Sequence, residues 1–236
     1  MQIEGRNPVL EALRAGTQLN KIFLEKGIKF DQKISEISKR AKKKKIRVEF
    51  VPKARLNKRS KTQVHQGVIA TGLSTNTAAL STLIKDKQAF LIYIREALYE
   101  HNIGAIIRTA ECIGATGIIL PPKISISPQI RRASMGASEH ISIVNNSLFQ
   151  TIKQVHDAGI QIIGIERSEN STGLYKANLD KPILLIIGGE DRPLSKQILE
   201  RCDQIVEIPM KGKVNSLNMS VAAAVVMYEV FRQHKN

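Results

Sequence analysis

The 236-residue chain has no tryptophan, only 4% aromatic residues and two cysteines, and each shortage excludes something. So few aromatics give little material for a broad platform on which single-stranded bases could stack. Cys112 and Cys202 stand far apart with no CxxC pair, so a disulfide scaffold is excluded and both read as ordinary thiols of a reducing compartment. No apolar run approaches the roughly 18 residues of a membrane span. The longest candidates are 183–187 and 221–227. The opening MQIEGRNPVLEAL carries Glu4 and Glu11 and no apolar h-region, so no signal or transit peptide is expected. The expectation is a soluble, cytoplasmic protein with no membrane partner.

Several chemistries are missing as well. The five histidines (65, 101, 140, 156 and 234) form no pair at ligand spacing, so no metal is expected. There is no GxGxxG, no GxxxxGK[ST] and no GxSxG, which removes the dinucleotide fingerprint, the P-loop and the hydrolase elbow.

Acidic residues are scarce. Asp+Glu number 21 against 36 Lys+Arg, a formal charge of +15. Residues 1–75 hold 18 Lys+Arg and 6 Asp+Glu, a surplus of 12, whereas the rest of the chain is nearly balanced. The densest runs are Lys39–Arg47, which contains Lys42, Lys43, Lys44 and Lys45, and Lys53–Lys61, which contains Arg55 and Arg59. A single lysine run reads equally well as a solvated helix end. Two in one short segment point to contacts with a polyanion backbone, nucleic acid first.

The remaining 42% hydrophobic content is enough for a core, and its spacing predicts α/β architecture. Residues 5–16 predict a helix capped by Asn7 and ended by Gly16, and 31–45 predict a second. Strands are expected at 22–24, 48–51 and 68–71. Residues 1–75 then form a small α/β domain, 76–88 a linker, and 89–236 a second domain. In that second part, apolar runs at 89–94, 117–120, 141–144, 160–165, 183–187 and 205–207 alternate with helical stretches at 102–114, 128–137, 147–158, 194–201 and 216–233. Continuous apolar strands between helices predict a mainly parallel sheet covered on both faces. Ligands of such sheets gather beyond the carboxyl ends of the strands.

Three segments lie there. Asn102-Ile-Gly-Ala-Ile-Ile-Arg108 follows the first strand, with Asn102 placed as a helix cap and Gly104 leaving room at the first turn. Ile186-Ile187-Gly188-Gly189-Glu190-Asp191 takes a buried strand into two glycines and then charge. Ile208-Pro-Met210-Lys-Gly-Lys-Val-Asn-Ser216-Leu217-Asn218 leads to an Ala/Val-rich helix, with hydroxyl and amide groups at its N-terminus. Taken singly, each also reads as capping, surface charge or a glycine turn.

In their order and spacing the three are not independent. NIGAIIRTAECIGATGIIL, IIGGED and IPMKGKVNSLNMSVAAAVVMYE, with IRRASMGASEH between the first two, resemble the motifs of the SpoU/TrmH branch of the SPOUT superfamily. Those proteins are S-adenosylmethionine-dependent RNA ribose 2′-O-methyltransferases. EGRNPVLEAL and VHQGVIA are similar to the N-terminal domain of the ribosomal-RNA members, a ribosomal-protein-like RNA-binding fold. The resemblance implies a C-terminal α/β-knot domain, a mainly parallel sheet threaded into a trefoil, behind a small α/β RNA-binding domain.

It also implies S-adenosylmethionine as cofactor, a homodimer, and RNA as partner, 23S ribosomal RNA or a large-subunit precursor, with guanosine as the modified nucleoside. A transfer-RNA substrate and a catalytically weak ribosome-assembly factor are the alternatives. Carried over by position, Gly188, Ile208 and Leu217 contact the cofactor, with Gly189, Met210 and Asn218 on the same loops. Asn102, Arg108, Glu190, Ser216 and Asn218 match the polar active-site positions. Lys42, Lys43, Lys44, Lys45, Arg55 and Arg59 are the expected RNA contacts. The chain departs from the family's pattern at 98–101, where Asp-Pro usually precedes the asparagine, and at Pro193, where a glycine is usual.

Overall fold

The computed structural model describes residues 1–73, 78–96, 99–180, 182–189, 192–214 and 216–234. Two sheets form among them. The first is built from β1 (Gln2–Glu4), α1 (Arg6–Ala15), β2 (Leu19–Glu25), α2 (Gln32–Lys43), β3 (Arg47–Val51), α3 (Lys53–Arg59) and β4 (Val68–Gly72). Its strand order is β1-β4-β2-β3, with β3 parallel to β2 and the other pairs antiparallel. The alternating side chains of β2 divide the core. Ile22 and Leu24 pack with Val9, Leu13, Ile34 and Ile37 of α1 and α2. Phe23 points the other way, to Val51, Leu56 and Ile69.

Local chemistry sets these helices. The Asp31 carboxylate accepts the Ile34 N–H at 2.9 Å and caps α2. Lys42 and Lys43 in its last turn complement the negative end of the helix dipole. Helix α1 ends as expected at Gly16, left-handed at φ 83°, but its start differs. Gly5 is the cap, and Asn7 lies inside the helix with its Oδ1 accepting from Lys33 Nζ at 2.5 Å.

After α4 (Leu80–Leu83) the second unit runs β5 (Phe90–Ile94), α5 (Glu100–Cys112), β6 (Gly117–Leu120), α6 (Pro128–Ala133), β7 (Ser142–Asn145), α7 (Leu148–Asp157), β8 (Gln161–Ile165), β9 (Thr172–Gly173), β10 (Ile183–Ile187), α8 (Lys196–Leu199), β11 (Gln204–Glu207) and α9 (Met219–Gln233). The seven strands lie in the order β7-β6-β5-β10-β8-β11-β9, every pair parallel. Every residue of β5 and β10 is buried, which is why their sequences are unbroken apolar runs. One face packs under α5, α6 and α9, the other under α4, α7 and α8.

The expected helix 128–137 stops at Ala133, because Met135 (φ 55°) and Gly136 (φ 99°) turn left-handed. A Cβ at Gly136 would lie 2.5 Å from the Glu11 side chain, so this break lets α1 of the first unit approach. The helix expected from 216 begins at Met219, and that expected over 194–201 shrinks to four residues. Helix α3, with Leu56 its only buried residue, and the short strands β1 and β9 carry too few apolar positions to show a period.

The units meet through charge. Glu139, buried after α6, pairs with Arg131, accepts from Ser138 Oγ at 3.3 Å, and accepts from Thr17 Oγ1 of the first unit at 2.9 Å. Nearby, His140 Nε2 and Glu11 Oε2 are 2.9 Å apart.

Candidate active site

The carboxyl ends of β8, β10 and β11 open on a cavity of about 350 Å³, within the size range of small-molecule sites. Five of the residues expected at the cofactor line it: Gly188, Gly189, Ile208, Met210 and Leu217, together with Ser216. The sequence builds this wall in steps. Strand β10 carries the chain, fully buried, to Ile187 and releases it at Gly188. A Cβ at Gly188 would sit 3.7 Å from Leu194, an ordinary contact, so packing within the chain does not demand glycine there. At Gly189 the same atom would be 3.3 Å from Glu96 Cβ and 3.4 Å from the Arg192 carbonyl, which is tight.

Arg192, Pro193 and Leu194 are held from two strand ends. Arg95, just past β5, donates from Nη1 to the carbonyls of Arg192 (3.3 Å) and Pro193 (3.0 Å). Glu166, just past β8, accepts the Leu194 N–H at 2.9 Å. Glu166 and Arg167 also line the cavity, and sequence reasoning missed both. Their signal was legible: they directly follow the apolar run 160–165, where strand ends collect ligands. Glu190 lies outside the described residues.

Asn218 is not at the cavity wall. It caps α9, its Oδ1 accepting from Ser220 N (2.9 Å) and Ser220 Oγ (2.7 Å), while its Nδ2 donates to Asn102 Oδ1 at 3.4 Å. The first and third segments therefore meet. Asn102 is not the helix cap expected for it. Tyr99 holds that position, and Asn102 is buried in the first turn of α5, facing α9. Gly104 does open the helix surface: a Cβ there would be 2.3 Å from Ala133 Cβ of α6.

Arg108 goes elsewhere. Six residues on from Asn102, it is exposed and lines a second cleft of about 580 Å³ between α5 and the helices of the first unit, with Arg14, Lys33 and Glu36. Of the basic residues expected at RNA, Lys42–Lys45 and Arg59 are exposed, and Arg55 is exposed but paired with Glu49 at 3.0 Å. Arg59 lies over the Phe23 ring, 4.4 Å from its centroid. No group of His, Cys, Asp or Glu able to hold a metal exists among the described residues. Burial, with Asp203 adding to it, pushes the Cys202 thiol up to about 11, so it stays protonated at neutral pH and is no nucleophile.

The arrangement suits a cofactor that is part apolar and part polar. Ile165, Ile187, Leu217 and Ala222 offer an apolar bed; Glu166, Arg167, Ser216 and the loop backbone offer polar contacts. A nucleoside joined to an amino acid has that division, so the residues present fit S-adenosylmethionine.

Comparison with known proteins bears on the same two units. The family model described as SpoU rRNA Methylase family matches residues 89–228, and the one described as RNA 2′-O ribose methyltransferase substrate binding matches residues 2–72. A Staphylococcus aureus (strain COL) protein, described as of the TrmH family of tRNA/rRNA methyltransferases, is 38% identical over 239 residues, covering 98% of this chain and 95% of the relative. Two solved structures share the fold. An AdoMet-bound rRNA methyltransferase from Sinorhizobium meliloti superposes with a TM-score of 0.83 at 21% identity, covering 99% of this chain and 87% of that one. The SpoU methyltransferase AviRb from Streptomyces viridochromogenes, in complex with AdoMet, gives 0.82 at 21% identity, covering 100% and 90%.

Proposed function

The chain belongs to the SpoU rRNA methylase family, and on that premise we propose that it moves a methyl group from S-adenosylmethionine to a ribose 2′-hydroxyl of ribosomal RNA, at a guanosine of the large subunit. The single observation that carries the reading is the convergence of Gly188, Gly189, Ile208, Met210, Ser216 and Leu217 on one cavity from two separate loops, those after β10 and β11. S-adenosylmethionine, when bound, supplies a methyl group on a positively charged sulfur.

The protein's own residues position and orient the reactants. The apolar bed seats the nucleoside part, and the Gly188–Gly189 backbone lies open to it. Methyl transfer needs the acceptor oxygen in line with the methyl, so alignment is the larger part of the rate. Arg108 takes a different task from a base. A guanidinium is a fixed cation, so Arg108 holds a phosphate beside the target ribose and stabilises the developing oxyanion while the hydroxyl proton passes to solvent. Asn102, fixed by Asn218, orients the ribose; Ser216 and Glu190 complete the polar set.

Arg108 does not line the cavity of its own chain, and this supports the homodimer. Helix α9 presents Val221 and Tyr228, each about half exposed, on its outer face, with Val225 between them partly buried against the core. A second copy covering that stripe would bring two active-site regions together. The trefoil-knotted passage of the C-terminal segment and the division into 1–75, 76–88 and 89–236 belong to the same proposal. The ribosomal assignment follows the resemblance of the first unit to the ribosomal-RNA members.

The test is direct. Purified protein, ribosomal RNA and transfer RNA are incubated separately with methyl-labelled S-adenosylmethionine, and 2′-O-methyl sites are mapped. Label in 23S RNA at a ribose is expected. Label confined to transfer RNA, or on a base, would overturn the assignment.

A further inference from the structure

The first unit holds a cleft larger than the one beneath β10. It measures about 890 Å³ and lies where the β2–α2 loop, α3 and the loop before β4 meet. Its rim carries Lys29, Lys33 and Lys53. Arg6 is committed to the wall, pairing with Asp31 at 2.5 Å and donating from Nε to the Gln66 carbonyl at 3.1 Å. That leaves Glu25 as the one acidic lining residue outside this pair, so the cleft is net positive.

The wall is built rather than incidental. Gln63 and Gln66 adopt left-handed backbone (φ 60° and 52°), a conformation that non-glycine residues hold only when their surroundings enforce it. Glu4, fully buried beneath the loop, anchors its first residues. Its carboxylate accepts from Ser60 Oγ (2.6 Å), Lys61 N (2.7 Å), Thr62 N (3.2 Å) and Thr62 Oγ1 (2.6 Å). His65, also buried, accepts the Gly67 N–H on Nδ1 and so presents Nε2–H to Asn57.

This cleft does not end at the first unit. Asn7 and Lys33 line it and also line the cleft that holds Arg108. The hydrogen bond between Lys33 and Asn7 therefore sits at the junction of two grooves. Beside Lys29, Phe30 and Phe50 stack on each other at 6.3 Å while both stay about half exposed. Exposed rings next to cations are the surface that unpaired bases use.

We infer that an unpaired stretch of the substrate RNA lies along the two clefts as one track, its phosphates on Lys29, Lys53 and Lys33, and leads to Arg108. The inference rests on reading the chain as an RNA methyltransferase. Unpaired RNA is the class the site takes, since only bases freed from pairing can reach the half-exposed Phe30 and Phe50 rings beside the lysines. The track also ranks the basic residues. Lys42–Lys45 lie at the other end of α2, the first of them about 14 Å from Lys33 at 1.5 Å per residue, and contribute at most long-range attraction.

The experiment measures binding of a fluorescein-labelled unstructured RNA oligonucleotide, and of the same strand in a duplex, to the full chain across a salt series. The variant K29Q/K33Q/K53Q is expected to lose on the order of tenfold in affinity and to flatten the log–log salt slope by about 2, three lost phosphate contacts on a single strand. Unchanged melting and S-adenosylmethionine binding accompany that loss, and K42Q/K43Q/K44Q loses less. K29Q/K53Q, which keeps the Lys33–Asn7 bond, serves should the triple variant melt early. Unchanged affinity in the groove variants, a duplex bound as tightly as the single strand, or an acidic polypeptide competing as well as RNA would each overturn the track. Should the wild type methylate no RNA while the groove variants still lose affinity, the track stands and the enzymatic reading falls.

Discussion

Asn218 Nδ2 donates to Asn102 Oδ1 at 3.4 Å, joining the N-terminal turns of two helices 116 residues apart in the chain. The contact gives Asn218 two tasks, since its Oδ1 also caps α9. Asn218→Asp keeps the acceptor and adds a negative charge at a helix N-terminus, so melting should hold while methyl transfer falls. Asn218→Ala removes both, costing about 1 kcal/mol of stability as well as activity. Thermal melts beside single-turnover rates separate the tasks; equal activity in Asn218→Asp and wild type would remove Asn218 from the site.

Arg108→Ala should lower turnover by on the order of a hundredfold, the usual loss for an electrostatic stabiliser. S-adenosylmethionine affinity should stay within a few-fold, because Arg108 lies outside the cavity. Calorimetric titration and initial rates check it, and near-normal turnover would end the assignment.

Gly188→Ala should fold normally, since its Cβ meets only ordinary contacts inside the chain. The added methyl borders the cavity, so the expected change is weaker cofactor binding without a lower melting temperature. Gly189→Ala, crowded by Glu96 and the Arg192 carbonyl, should lose stability as well. Equal melting of the two variants would contradict the packing described.

At the junction of the units, Glu139→Ala removes the buried counter-ion of Arg131 and should cost about 3 kcal/mol or more in urea unfolding. Thr17→Val breaks only the bond between units and should cost about 1 kcal/mol. Limited proteolysis of Thr17→Val should cut more readily between the units; an unchanged pattern would show that this bond does not hold them together.

Glu4 makes a pH prediction. Burial raises its pKa, but hydrogen bonds from Ser60, Thr62, Lys61 and Gln2 outweigh burial, and the net shift is downward. A lowered carboxyl contributes stability that is present above its unfolded value and lost as pH falls through the folded one. The melting advantage of wild type over Glu4→Gln should therefore be full near neutrality and shrink below about pH 4. An advantage that persisted in strong acid would show that the charge on Glu4 is not what holds the loop.

What sequence determined by itself was whatever depends on neighbours along the chain. The buried runs of β5 and β10, the left-handed stop at Gly16 and the excess charge before residue 75 were legible because periodicity, glycine and charge act locally. Gly188, Gly189, Ile208, Met210 and Leu217 were named through their resemblance to known motifs, and the fold then gathered them at one wall. Only the tertiary structure decided that Asn102 turns inward to Asn218, that Arg108 faces the first unit, and that Lys33 rather than the lysine run stands at a groove junction. The physical reason is common to all three. A helix gives every residue a direction, but which direction meets a partner depends on how distant elements pack. Charge density along a chain records nothing of that, and so the loudest basic run and the residues lining the groove are different residues.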